Sequence, residues 1–248
     1  MSGHSKWAQI KRQKGANDVK RGAMFTKMGR EIAVAARAGG GDPDGNFRLR
    51  LAIERARAVN MPADTIKRAI EKATGGGEGE QFEEIMYEGY GPGGIAIIVE
   101  AATDNRNRTA ADVRSIFTKA GGQLAGSGSV AWQFEQRGSI TLAPAKNQEE
   151  LELIAIDAGA DDVDASGEQV EVYTKPGDLE AVRRELEKAG VKIESAELAM
   201  QPKNTVEVDE SRARQALRLV ELLEDHDDVQ RVTANFEIPE ELMAEVGA

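Results

Sequence analysis

The 248-residue chain contains no cysteine. A disulfide, a thiolate metal site and a cysteine nucleophile are therefore excluded, which fits a reducing cytoplasm. Histidine is nearly absent too: His4 and His226 are the only two, and they lie far apart in sequence. No nucleophile–base–orienter set can be traced along the chain, so the expectation is a protein that is not an enzyme, with no catalytic residues, no cofactor and no metal. Aromatic residues make up 4% of the chain, which leaves Ala, Val, Ile and Leu to build the cores. No segment approaches the ~20 apolar residues of a membrane span, so no membrane partner is expected. The N-terminus is basic, but the apolar stretch of a secretory signal does not follow it. A transit peptide would also be basic and acid-poor. Here the basic region runs straight into a patterned helix, which favours mature protein.

Negative charge is scarce at one end only. Residues 1–72 hold 16 of the 32 Lys and Arg but 7 of the 43 Asp and Glu, a net charge near +9 against −20 for the rest. The sequence pI of about 4.9 hides this split. Cations gathered at one end of an acidic chain point to a polyanion partner. Lys and Arg neutralise phosphates and release counterions without reading sequence, and the acidic remainder confines the contact to the basic end.

The chain reads as three domains. Residues 1–74 form a basic helical domain that starts with an arm, Met1 to Asn17. A helix then runs from Asp18 to about Ala38, with Met24, Phe25, Met28, Ile32 and Ala35 on one face and Lys20, Lys27, Arg30 and Arg37 on another. Gly39 to Pro43 stops it. A second helix spans about Asn46 to Val59. The third begins at Pro62, a residue suited to a first helical turn, and ends near Thr74. Gly75 to Gly79 reads as a linker. Further on, Gly94–Thr103 is an apolar strand, Thr109–Ala120 a helix with Thr109 as N-cap, and Ser129–Glu135 a strand. Segments 139–143, 149–158, 162–165, 169–174, 178–189 and 192–200 then follow the order βαββαβ, the ferredoxin-like split unit. A helix over about 211–225 and a strand over 229–237 have no place in that unit. They supply what 85–135 lacks. The expectation is an α+β protein with an N-terminal three-helix bundle, a split middle domain (80–137 plus 203–248) and an inserted ferredoxin-like domain (138–202).

The block Gly3-His4-Ser5-Lys6-Trp7, with Lys20-Arg21-Gly22, Phe25-Thr26-Lys27 and Arg30-Glu31-Ile32, resembles the YebC/PmpR family. So do Tyr87-Glu88-Gly89-Tyr90-Gly91-Pro92-Gly93-Gly94, Thr103-Asp104-Asn105-Arg106-Asn107-Arg108-Thr109 and Gly128-Ser129-Val130-Ala131-Trp132. The resemblance covers essentially the whole chain. It implies the same three-domain fold and a cytoplasmic, DNA-binding transcriptional regulator. Its mitochondrial relatives imply translational activation instead, and bacterial members a link to the ribosome. It brings no catalytic residues.

Several constellations bear on the partner. Lys6, Trp7, Lys11, Arg12 and Lys14 combine a basic track with an aromatic that can stack on a base. With Lys20, Arg21, Lys27 and Arg30 they form the expected nucleic-acid site. The alternative for the arm is a solubilising tail with Trp7 tucked against the bundle. Helices two and three could form a helix-turn-helix bearing Lys67, Arg68 and Lys72, but the third helix has no Asn or Gln for bidentate adenine reading. Arg106 and Arg108, beside a helix N-terminus, suit an anion or partner contact; the alternative is pairing with local acids. Gly91-Pro92-Gly93-Gly94 precedes a strand and lacks the Gly-Lys-Ser/Thr ending of a phosphate loop, so it reads as a tight turn. The acidic clusters Asp157, Asp161, Asp162, Asp164 and Glu221, Glu224, Asp225, Asp227, Asp228 lack a calcium-loop spacing and read as solvated faces. Expected partners are DNA or ribosomal RNA, with the transcription machinery or the ribosome behind them. The sequence sets no oligomeric state.

Overall fold

The computed structural model describes residues 18–75, 82–144, 147–165 and 169–237. The protein is mixed α+β, with two four-stranded antiparallel sheets. One compact unit is Phe134–Lys203; the described residues before and after it form the other.

The described residues of the second unit begin with three helices: α1 (Asp18–Gly39), α2 (Phe47–Ala58) and α3 (Ala63–Thr74). Their shared core holds Ile32, Ala35, Leu49, Ile53, Ala56, Met61 and Ile66, with Phe25 and Met28 packed against it. Met24, on the same face in the sequence pattern, is instead 37% exposed. Small residues let the helices approach closely, as an aromatic-poor composition requires. The α1–α2 corner depends on Asn46. Its side-chain oxygen accepts from the Leu49 N–H, capping α2, and its amide donates to the carbonyls of Ala35 and Gly40 at 2.8 Å each. One buried side chain thus satisfies groups at two helix ends.

The sheet of this unit has the order β3-β1-β2-β8, from β1 (Glu83–Tyr90), β2 (Ala96–Thr103), β3 (Gln123–Leu124) and β8 (Val229–Ala234). Its last strand comes from beyond the other unit, so the chain returns to complete the sheet. Helices α4 (Arg106–Lys119) and α7 (Glu210–Glu224) pack on it. Ile95, Ile97 and Val99 meet Val113, Phe117, Leu219 and Leu223 in that core. Ile98, on the opposite side of β2, is also fully buried, so this strand is covered on both faces. That is why it reads as a continuous apolar run. Gly89 of β1 is needed for close approach: a Cβ there would lie 2.5 Å from the Phe117 ring.

The unit Phe134–Lys203 contains β4 (Phe134–Leu142), α5 (Gln148–Asp157), β5 (Asp162–Asp164), β6 (Glu171–Thr174), α6 (Leu179–Lys188) and β7 (Ile193–Pro202). The order β5-β6-β4-β7 is that of the split βαββαβ arrangement.

Three local expectations need correction. Ser129–Glu135 is not a strand: Ala131–Gln133 form a 3-10 turn, and β4 begins at Phe134 and runs unbroken through Gly138. A Cβ at Gly138 would collide with Thr174 and Leu179, so this glycine serves close packing within a strand rather than a break. Thr109 is not an N-cap; Asn105 is, with its side chain accepting from the Arg108 N–H. Strand β1 has no counterpart in the sequence pattern, because Glu83, Glu84 and Glu88 obscure its alternation. Gly91–Gly94 does form a tight turn, with Gly93 and Gly94 at φ 81° and 79°.

The folding units are testable as pieces. A fragment spanning 134–203 is expected to melt cooperatively alone. A fragment of 82–133, deprived of β8 and α7, is expected to show no cooperative transition, since it would expose the Ile95–Val99 strand faces.

Candidate nucleic-acid interface

The expected site divides into three groups. Lys6, Trp7, Lys11, Arg12 and Lys14 lie outside the described residues. Lys20 and Arg21 fall at the start of α1, where only the backbone is described. Lys27 and Arg30 are turned towards the C-terminal segment of the chain. The Lys27 ammonium donates to the Glu224 carbonyl. The Arg30 guanidinium donates to the Asp227 carbonyl and to Asp228 Oδ1, both at 2.5 Å, and its side chain is only 15% exposed. In this structure both cations hold α1 against the turn between α7 and β8.

Asp228 anchors this contact. The sequence places it in a solvated acidic face, but it is 2% exposed. Its Oδ2 accepts from Thr109 Oγ1 at 2.6 Å, Arg108 Nη2 at 2.9 Å and Thr103 Oγ1 at 3.2 Å. Its own N–H donates to His226 Nδ1, which leaves Nε2 to carry the proton towards Asp112, 3.4 Å away. Burial pushes the Asp228 carboxyl pKa up. Hydrogen bonds from Thr109 and Arg108, and the charges of Arg30 and Arg108, outweigh that and leave it below the ordinary value. The block Thr103 to Thr109 therefore serves a buried carboxylate. Arg108 is shared between Asp104 and Asp228, whose negative charges hold its pKa above the ordinary range. Arg106 stays 70% exposed, with Glu83 at 3.8 Å.

A second buried carboxylate explains two other blocks. Glu88 of β1 accepts from the N–H groups of Gly128, Val130 and Ala131 at 2.6 to 2.8 Å. Burial raises its pKa, but these three donors reverse the shift and lower it. The Tyr90 hydroxyl and the Trp132 indole N–H both donate to the Ser129 carbonyl. The loop is thus fixed from inside, while the Trp132 ring is 68% exposed.

Among the described residues, the bundle carries its solvent-facing positive charge on Arg37, Arg48, Arg57, Lys67, Arg68 and Lys72, with Arg48 paired to Glu84. Lys67, Arg68 and Lys72 were marked by the sequence pattern; Asp228 and Glu88 were not singled out as anchors, because nothing local distinguishes a buried acid from an exposed one. Among the described residues no group of three His, Asp or Glu is placed to hold a metal ion, and no helix is long and apolar enough to cross a membrane.

These features define a multidomain α+β protein with a cationic helical end latched to a sheet. Residues 5–76 match the family described as "TACO1/YebC protein N-terminal domain", and residues 82–236 match "TACO1/YebC second and third domain". The chain belongs to the TACO1/YebC family. A "Probable transcriptional regulatory protein" of Rubrobacter xylanophilus is 56% identical over 248 residues, covering 99% of each chain. One of the same name from Moorella thermoacetica is 56% identical over 247 residues, covering 98% of each. The crystal structure of a conserved hypothetical protein from Aquifex aeolicus superposes with a TM-score of 0.83 at 52% identity, covering 90% of this chain and 92% of that one. The names of the relatives mark a regulator-type family.

The latch predicts an acid limit. Asp228 has a folded pKa below its unfolded value of ~3.9, so its contribution is complete above that value and is lost as pH falls through the folded one. Asp228→Asn is expected to cost about 3–5 kcal/mol at neutral pH. It is also expected to flatten the loss of stability on acidification, read from thermal melts across the acid range.

Proposed function

We propose that the protein is a non-enzymatic, cytoplasmic regulator of gene expression that binds nucleic acid through its basic N-terminal end. The observation that carries this reading is the charge division, near +9 for residues 1–72 and −20 for the remainder. Lys6, Lys11, Arg12, Lys14, Lys20 and Arg21 supply phosphate contacts, and Trp7 a stacking surface. The exposed Lys67, Arg68 and Lys72 of α3 extend the same field. The leading description is a DNA-binding transcriptional regulator, supported by the names of the relatives.

One observation favours a second reading, ribosomal RNA as the target and control of translation as the task. Helix α3, ADTIKRAIEKAT, offers Lys and Arg but no Asn or Gln. Its chemistry is that of phosphate tracking rather than base-edge reading in a major groove. Crosslinking in cells followed by sequencing separates the two: recovered promoter DNA supports the first reading, recovered ribosomal RNA the second. Arg106, exposed beside the start of α4, is the candidate for an accessory contact with an acidic or phosphate group.

The binding is expected to be mainly electrostatic. With about 5 phosphates neutralised on duplex DNA, log K should fall against log salt with a slope of about −4 to −5. Replacing Lys11, Arg12 and Lys14 together by Glu is expected to flatten that slope by about 3. An unchanged slope would remove the arm from the interface.

Stacking by Trp7 has its own signature. Trp7→Ala is expected to weaken single-strand binding by about 1–3 kcal/mol and to leave the melting temperature unchanged. Lost stability with intact binding would mean that Trp7 packs against the protein.

A further inference from the structure

Helix α5, QEELELIAID, carries apolar side chains on both sides. Ala155 is buried, and Leu151 and Ile154 are partly buried. Leu153 and Ile156, by contrast, are 65% and 53% exposed. They are three residues apart, so they adjoin on one face of the helix. Helix α6 of the same unit differs. It buries Leu179, Val182 and Leu186, and its exposed Arg184 and Lys188 pair with Glu180 and Glu185. A surface helix that is apolar on its outer face as well calls for a cover on that face.

The charges around Leu153 and Ile156 are of one sign. Helix α5 has four acids, Glu149, Glu150, Glu152 and Asp157, and no Lys or Arg. Glu149, Glu150 and Asp157 are exposed, as are Asp161 and Asp162 just beyond the helix end. The Asn147 amide donates to Glu150, and Lys175 lies 4.0 Å from Asp161. Among the described residues Glu149, Glu152 and Asp157 have no cationic partner. In the first turn Glu149 and Glu150 complement the helix dipole. Asp157 sits in the last turn, where an anion is disfavoured. Aliphatic side chains in water and an anion at the negative end of a helix both work against the isolated chain.

One kind of occupant relieves both. A nucleic-acid strand or an anionic lipid surface is repelled. A metal ion leaves Leu153 and Ile156 wet. The bundle of a second copy brings cations, but among its described residues it exposes one large apolar side chain, Met24. We propose that the outer face of α5 docks a basic protein segment whose Lys and Arg side chains flank an aliphatic stripe. The stripe covers Leu153 and Ile156, and the cations meet Glu149 and Asp157. Residues 134–203 hold 16 Asp and Glu against 8 Lys and Arg, a field that steers such a partner inwards. The docking involves none of the residues of the proposed nucleic-acid site, so the two readings stand or fall separately.

Full-length protein would be titrated by fluorescence anisotropy with two labelled peptides of equal charge. One is a Leu/Lys helix former with leucines at i, i+3, i+4 and i+7; the other is oligolysine. The native protein is expected to bind the Leu/Lys peptide about tenfold more tightly, the scale of an apolar anchor. Leu153→Gln combined with Ile156→Gln is expected to remove that preference and to leave oligolysine binding unchanged. Gln suits a helix about as well as Leu and better than Ile, so the melting temperature is expected to hold. Asp157→Asn is expected to weaken both peptides and to reduce their salt dependence. Leu222→Gln, at an exposed apolar position of α7, is expected to change nothing. In cells, a photoreactive residue at position 153 is expected to attach to Lys- and Arg-rich segments with aliphatic neighbours. Equal affinity for the two peptides overturns the assignment. So does a preference that survives the Leu153 and Ile156 changes or falls with Leu222→Gln, or an unchanged salt dependence in Asp157→Asn. No attachment in cells, or attachment to nucleic acid, an acidic segment or a second copy of this chain, overturns it too.

Discussion

A carboxylate taken out of water costs several kcal/mol unless donors replace its hydration shell. Asp228 meets that demand with the guanidiniums of Arg30 and Arg108 and the hydroxyls of Thr103 and Thr109. These donors come from α1, from the end of β2 and from the first turns of α4. One ionised group therefore ties α1 and the 103–109 block to its own turn, three segments that are far apart in sequence. The position of the cationic bundle on its sheet follows from this, because Lys27 and Arg30 can reach the α7–β8 turn only while α1 lies against it. Glu88 repeats the device on a smaller scale, trading water for three backbone N–H groups and thereby shaping the Trp132 loop.

Much of the fold was legible because its signals are local. The apolar stripe of α1, the Gly39–Pro43 stop and the alternation of strands and helices after residue 139 each lie within a short window. The doubly covered β2 announced itself as an unbroken run from Ile95 to Val99. What escaped were features set by distant partners. Glu88 and Asp228 look like ordinary surface acids until the fold delivers their donors. Arg30 reads as part of a cationic face, yet its charge is answered by a residue 198 positions away. Phe82 was equally silent: a lone aromatic after a glycine linker gains meaning only beside the Arg30 guanidinium, 5.3 Å from the centre of its ring.

The division of charge has a physical cost that the latch offsets. Gathering like charges at one end raises their mutual repulsion. Pairing Arg30 with Asp228 and turning Lys27 onto the Glu224 carbonyl lowers the exposed charge of the bundle on its inner side, while Arg37, Arg57, Lys67, Arg68 and Lys72 remain exposed. Inward-turned and solvent-facing cations of the same bundle are thus separated by which way they face. Composition alone cannot make that distinction, since both kinds are Lys and Arg in a basic segment.

The inserted unit begins at Phe134 and ends beside Pro202, and these two residues face each other across the β4–β7 pair. Directly opposed residues in an antiparallel pair lie only ~4.5–5.5 Å apart. To the sheet that is interrupted, some seventy residues are therefore equivalent to a tight hairpin bridging its own two ends. The closure entropy of the outer fold depends on that short gap and hardly on what hangs from it. On closure entropy alone, the length of the insertion on that stem bears little on the pairing of β2 with β8.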